Sequence, residues 1–227
     1  MTKRLIVISL GGSLIIPDKI NVRLIEEFKK IILQNTKKYK FIIVCGGGNT
    51  ARNYIHGLNE RMELFQSFLG IAATRLNAKF MTYFFEKNVN QVIPRDMVEV
   101  ENLLKKHDVV FCGALRYADD ETSDATSAKL ANHFNTEFIN LSDVKGLYDK
   151  NPKRFKNAKF IPEISPKEFL KMANQIEFKP GQHFILDAKA AKIIKKHNIK
   201  SYLLGSDMKN LDSLLKNRHF VGTIIGI

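Results

Sequence analysis

The 227-residue sequence predicts an α/β fold with a mostly parallel central sheet, and three observations carry that prediction. An apolar run at 5–10, an amphipathic stretch at 21–38 and a second apolar run at 41–45 follow one another in the order of a right-handed strand, helix, strand unit. Both apolar runs end in glycines, Gly11-Gly12 and Gly46-Gly47-Gly48. Polar loops also follow the later apolar runs at 109–112 and 137–141, and ligands of open α/β sheets bind outside the carboxyl ends of strands.

Taken in order, the stretch 21–38 places Val22, Leu24, Ile25, Phe28, Ile31, Ile32 and Leu33 at helical spacing, with Asp18 or Asn21 as its cap. Helices are expected over 50–58 and 63–85, the longer one showing Phe65, Phe68, Leu69, Ala72, Leu76 and Phe80 along an apolar side. Within it the small residues of 69–78 suit close helix packing or subunit association, and Arg75 serves either an interhelix contact or a substrate. A short strand at 91–94, a helix at 98–106 and a buried-type strand at 109–112 lead to Gly113. The polar loop 116–123 precedes a helix at 124–134, and its hydroxyls and carboxylates are a capping arrangement that would also suit a phosphate and a sugar. A strand at 137–141 opens into the punctuated loop 142–152. A helix at 166–173, a turn at 178–184, a helix at 186–196, a strand at 201–204, a helix at 210–215 and a strand at 221–225 complete the chain. No repeat, low-complexity segment or linker divides it, so 1–227 reads as a single domain.

With 44% hydrophobic residues the chain can bury one substantial core. It holds no run of 18 apolar residues, and no small-residue cleavage site follows the opening apolar run, so neither a membrane anchor nor a signal peptide is expected. Cys45 and Cys112 each end an apolar run, the setting of buried thiols in a reducing, cytoplasmic compartment. A formal charge of +13 points to an anionic partner: nucleotide, nucleic acid or phosphorylated metabolite. The lysine pairs fall on helix faces or ends and no RNA-binding aromatic signature occurs, so no nucleic-acid partner is expected. His56, His183 and His219 lack metal-ligand spacing.

Two glycine turns for phosphate, Arg52 and Lys179 to neutralise charge, and Asp187 at the start of a late helix form a set suited to phosphoryl transfer. The sequence lacks GxxxxGK[ST], which excludes a P-loop, and the glycine spacing fails GxGxxG, which argues against a dinucleotide-binding Rossmann unit.

ISLGGS at 8–13, CGGGNTAR at 45–52, LGIAATRLNA at 69–78, TSDA at 122–125, SDVKGLYDKNP at 142–152, LDAKAAKII at 186–194 and VGTII at 221–225 together resemble uridylate kinase of the amino acid kinase superfamily, nearest its archaeal-type branch. The likeness spans almost the whole chain in order. It implies a three-layer αβα sandwich, an acceptor-binding part over about 1–135 and an ATP-binding part over about 136–227. It further implies transfer of the γ-phosphate of ATP, with Mg²⁺, to UMP, in a homohexamer built as a trimer of dimers.

By matching position, the resemblance assigns Gly12 and Ser13 to ATP phosphates, and Gly48 and Arg52 to the transferring phosphate. Ser142, Asp143, Tyr148 and Asn151 would line the adenine and ribose pocket. Gly47, Ser67, Gly113, Thr122, Ser123 and Asp124 fall on the UMP side, while Asp187 and Lys179 join Arg52 as catalytic groups. No protein metal ligand is assigned.

Several positions depart from the family pattern. Ser9 replaces the lysine of bacterial relatives, Ser67 an aspartate that holds the uridine ribose, and Lys145 the aspartate of NVDGVY. The loop GALRYADDETSDA is longer than the family's GGTHPGHTTDA, lacks its His and Pro-Gly, and is acidic where a phosphate would lie. Two alternatives therefore stand beside a UMP kinase: the same fold acting on another small phosphate, carboxylate or phosphonate, and a nucleotide-sensing protein without turnover.

Overall fold

The structure is a computed structural model that describes residues 2–59, 62–117, 121–175 and 186–226. Strands β1 (Arg4–Leu10), β2 (Tyr39–Cys45), β3 (Val109–Cys112), β4 (Glu137–Leu141), β7 (Glu163–Ile164), β8 (Ser201–Leu204) and β9 (Thr223–Ile225) form one sheet in the order β3-β2-β1-β4-β8-β9-β7, and β5 (Leu147–Tyr148) pairs with β6 (Phe160–Ile161) in a separate hairpin. All pairings in the large sheet are parallel except β8 with β9.

The helices are α1 (Gly12–Ile15), α2 (Val22–Asn35), α3 (Gly48–His56), α4 (Glu63–Phe85), α5 (Met97–Leu104), α6 (Ser123–His133), α7 (Pro166–Gln175), α8 (Ala188–His197) and α9 (Met208–Leu215). Side chains alternate across each strand, so β1 and β2 divide between two cores. Ile6, Ile8, Leu10, Phe41 and Ile43 pack with Phe28 of α2, Met81 and Phe85 of α4 and Leu211 of α9. Val7, Ile42 and Val44 face the opposite way, onto Ala128 of α6, Phe169 of α7 and Ile194 of α8. Helices on both faces of a parallel sheet bury it from both sides, which is why these strands are apolar runs rather than alternating ones. The result is the expected αβα sandwich.

Two readings are corrected. The stretch 91–94 forms no strand; only Val89 bridges to Val109, while Arg75 of α4 uses the Ile93 and Pro94 carbonyls as acceptors. The loop 142–152 contains β5, whose partner β6 lies beyond the next turn. Gly12–Ile15, for which no element was expected, folds into a turn of helix that begins at the second glycine of the first pair. The expected turn at 178–184 lies outside the described residues.

In the sheet order, β1 connects outward to β2 on one side while β4 lies on the other, so the loops after β1 and β4 diverge at a topological switch point. Gly11 N donates to Leu141 O and Gly46 N to Leu10 O, both at 2.9 Å, which stitches the three loop origins together at the mouth of the crevice.

Candidate active site

The crevice above these strand ends has a volume of about 540 Å³, within the range of small-ligand sites. Its floor is two interlocked glycine turns. Gly48 has φ +60, and a Cβ built on it would lie 2.3 Å from Gly12 O; a Cβ on Gly12 would lie 2.0 Å from Gly48 N. No side chain fits at either position, so backbone meets backbone and the peptide groups stand open to the crevice. Asn49 N donates to Ile16 O at 3.0 Å, which fixes the start of α3 against α1. Arg52, one turn into α3, stands in the crevice wall, and it forms no ion pair among the described residues. A helix N-terminus, open N–H groups and an uncommitted guanidinium make a site for a phosphoryl group.

The opposite wall comes from β4 and the residues after it. Ser142 closes a tight turn through Val144, and Asp143 is ion-paired with Lys153. Asn151 Oδ1 accepts Lys153 N at 2.9 Å, so its carboxamide oxygen is committed to the turn. Tyr148 packs edge-on against Phe160, with ring centroids 5.3 Å apart, and still lines the crevice. The expected adenine-side residues are thus gathered on one wall, three of them already bonded within their loop. Sequence reasoning missed Arg154 and Phe155, which line the same wall from the 149–159 turn, and Asn140 on β4 beneath them.

The third wall is the start of α6, where Ser123 and Asp124 reach the crevice. Thr122 is the N-cap: its Oγ1 accepts Ala125 N at 2.9 Å and donates to Asp187 Oδ2 at 2.5 Å. Asp187 in turn caps α8, with Oδ1 accepting Ala190 N at 2.8 Å, and its own N–H serves the Asp124 carboxylate. Ser9, on the strand face that looks toward α6, donates to Asp124 Oδ1 at 2.9 Å. Burial first, and the Asp187 carboxylate second, push Asp124 up to about 7, against the smaller lowering effect of the Ser9 bond. Asp187 is joined to the crevice through Thr122 and Asp124 and does not line it.

The acidic loop before α6 is partly accounted for. The Glu121 side chain is 5% exposed; its two oxygens accept from Lys129 Nζ at 2.6 Å and Thr126 Oγ1 at 2.8 Å. Its charge is therefore held along the flank of α6. Gly113 packs against the α4 backbone, and Ser67 stands half-buried on α4; neither lines the crevice. Tyr117 meets Phe68 edge-on at 5.8 Å between centroids, which ties the loop to α4. Lys179 lies outside the described residues.

Both cysteines are buried free thiols, each pushed upward chiefly by burial, and neither faces the crevice. Among the described residues no helix is long and apolar enough to cross a membrane.

The model of the amino acid kinase family matches residues 4–205. The uridylate kinase of Archaeoglobus fulgidus is 34% identical over 223 residues, covering 97% of this chain and 99% of that protein. The uridylate kinase of Thermoplasma volcanium is 33% identical over 227 residues, covering 97% of this chain and 96% of that one. The crystal structure of the Archaeoglobus fulgidus uridylate kinase superposes with a TM-score of 0.83 over 97% of this chain and 99% of that chain, at 33% identity. With the crevice at the switch point and the ordered motifs around it, the chain belongs to the amino acid kinase family, among its uridylate kinases.

Proposed function

We propose that the crevice moves the γ-phosphate of ATP onto UMP, giving UDP and ADP. The observation that carries this reading is the pair of interlocked glycine turns with Arg52 beside them, lying between an adenine-type wall and the start of α6. Phosphoryl transfer asks little covalent chemistry of a protein; it asks for alignment and for positive charge where the transferring oxygens crowd. Gly12 and Ser13 would hold donor phosphates through backbone and hydroxyl, and Gly48 with Arg52 the group in flight. Ser142, Asp143, Tyr148 and Asn151 would seat adenine and ribose, so the part over about 136–227 serves ATP. In the part over about 1–135, Gly47, Ser123 and Asp124 would seat UMP from the crevice wall, with Ser67, Gly113 and Thr122 supporting the acceptor side from outside its lining. Asp187 holds the Thr122 and Asp124 corner, and Lys179 would neutralise phosphate charge.

Asp124 and Asp187 are the hard oxygen donors that suit Mg²⁺, and a cation near them would relieve the crowding of like charges that raises Asp124. When bound with ATP, the cation would neutralise phosphate charge.

The assembly expected from the family is a homohexamer built from dimers. What supports self-association here is α4, which leaves Phe65, Leu76 and Tyr83 more than half exposed at 54%, 59% and 61%. Nucleotide substrates and two free buried thiols support a cytoplasmic setting.

The test is turnover of the purified chain with ATP, Mg²⁺ and a panel of nucleoside monophosphates. UMP is expected to be the preferred acceptor by kcat/KM. Transfer to CMP or AMP but not UMP sinks the base assignment, and ATP binding without ADP formation sinks the enzyme reading.

A further inference from the structure

One turn of α4 carries three polar side chains that serve the backbone of the loops around the crevice. Asn77, 1% exposed, donates from Nδ2 to Gly46 O at 2.7 Å and to Gly47 O at 3.1 Å. Thr74 Oγ1 accepts Ala114 N at 3.0 Å. Arg75 donates to the carbonyls of Ile93, Pro94 and Ala114, so it is a backbone clamp and not a substrate contact.

The Asn77 bonds have a directional consequence. In a trans peptide the C=O and the following N–H point in opposite directions. The Gly46 carbonyl shares its peptide with Gly47 N–H, and the Gly47 carbonyl shares its peptide with Gly48 N–H. Pulling both oxygens toward α4 turns both N–H groups away from it, toward the α1 side and the crevice. Neither N–H group finds an acceptor inside α3, because the first N–H groups of a helix have no intrahelical partner. Glycine peptides rotate more readily than any others; Ala51 N donates to Gly47 O at 3.2 Å, and Asn77 adds a second hold on that carbonyl while gripping the Gly46 carbonyl at 2.7 Å.

We infer that Asn77 is a positioning residue for phosphoryl transfer, orienting the Gly47 and Gly48 N–H groups toward the phosphates through its hold on the Gly46 and Gly47 carbonyls. This rests on reading the crevice as a phosphoryl-transfer site. It gives Asn77 a role that the small-residue pattern around it does not suggest, since packing alone would be served by alanine.

The experiment compares Asn77→Asp, which keeps the shape and removes the donor, with Asn77→Ala and with Asn35→Ala. Asn35 is also buried, at 4% exposed, and bonds Ile31 O and Asp212 far from the crevice. Two quantities are read: calorimetric affinity for the non-hydrolysable β,γ-imido analogue of ATP with Mg²⁺, and kcat with UMP. Both Asn77 variants are expected to bind the analogue about tenfold more weakly, the size of a lost hydrogen bond. Their kcat is expected to fall about 10²-fold, as for loss of oriented donors at a transition state. Asn35→Ala is expected to melt earlier while keeping both. Cooperatively folded Asn77 variants with wild-type affinity and kcat overturn the inference, as does an equal kinetic loss in Asn35→Ala. Analogue affinity is read whatever the acceptor, so a wild-type chain that binds it without phosphorylating UMP defeats the proposed function while Asn77 is still judged on binding.

Discussion

Ser9 Oγ donates to Asp124 Oδ1 at 2.9 Å, and this bond stands where bacterial relatives of the family place a lysine. A hydroxyl can stabilise a carboxylate but cannot neutralise it, so Asp124 faces Asp187 with only partial compensation and is pushed up to about 7. Two opposite pH dependences are expected. Between about pH 4 and 7 the folded chain keeps a proton that the unfolded chain has released, so this group's contribution to stability falls as pH rises through that window. Melting temperatures of the ligand-free protein across pH 4 to 8 should show that slope relative to Asp124→Asn, which lacks the titration. kcat/KM, which reports the free enzyme, should rise over the same upper range, because the ionised carboxylate forms only as pH passes about 7. Ser9→Ala removes a bond that lowers the Asp124 value and should move the acid limb of kcat/KM upward. An acid limb unchanged in both variants would refute the assignment.

Arg52 is a guanidinium of the crevice wall, on the glycine-turn side, and has no ion-pair partner among the described residues. Arg52→Ala should lower kcat by about 10²-fold or more, with melting temperature near wild type, because no ion pair or side-chain hydrogen bond among the described residues is lost. Arg52→Lys keeps the charge and loses the forked donors, and should recover only part of the rate. Wild-type kcat in a folded Arg52→Ala protein would show that the phosphate lies elsewhere.

Thr122 serves two helices at once, capping α6 and donating to the residue that caps α8. Thr122→Val keeps the shape and loses both bonds. It should cost about 1 kcal/mol for the cap, measured by denaturant titration. It should also lower kcat, because Asp187 loses the hydroxyl that ties it to the start of α6. Thr122→Ser should retain both properties, and a Val variant with wild-type stability and kcat would mean that the hydroxyl carries neither.

The alternation of apolar runs, helical spacing and glycines was enough to place the strands and long helices of the sheet, because burial on both faces of a parallel sheet writes itself into sequence as continuous Val, Ile and Phe. Gly48 was legible as part of a turn, yet its contact with Gly12 was not, since that pairs two turns distant in sequence. The β5–β6 hairpin escaped because each strand is only two residues long, too short for any periodicity. Asn77 was hidden for a different reason: it sits at a helical position where nothing in local sequence tells a packing residue from one bonding the carbonyls of a remote loop. Glu121 looked like a repulsive charge beside a phosphate until its partners on α6 were seen.

Thr223, in the last strand of the sheet, holds the hairpin that carries Tyr148. Its Oγ1 accepts Leu147 N at 2.8 Å and donates to Ile161 O at 2.5 Å, and the residue is 0% exposed. Thr223→Val leaves a buried N–H and a buried carbonyl without this partner, at a cost of about 1–3 kcal/mol. The damage should be directional, because β5 and β6 border the adenine-type wall and not the start of α6. KM for ATP should rise severalfold while KM for UMP stays near wild type, and Thr223→Ser should behave as wild type in both. Steady-state kinetics with each substrate varied in turn decide the matter: a rise in KM for UMP equal to that for ATP would mean that the hairpin supports the crevice as a whole and not its donor side.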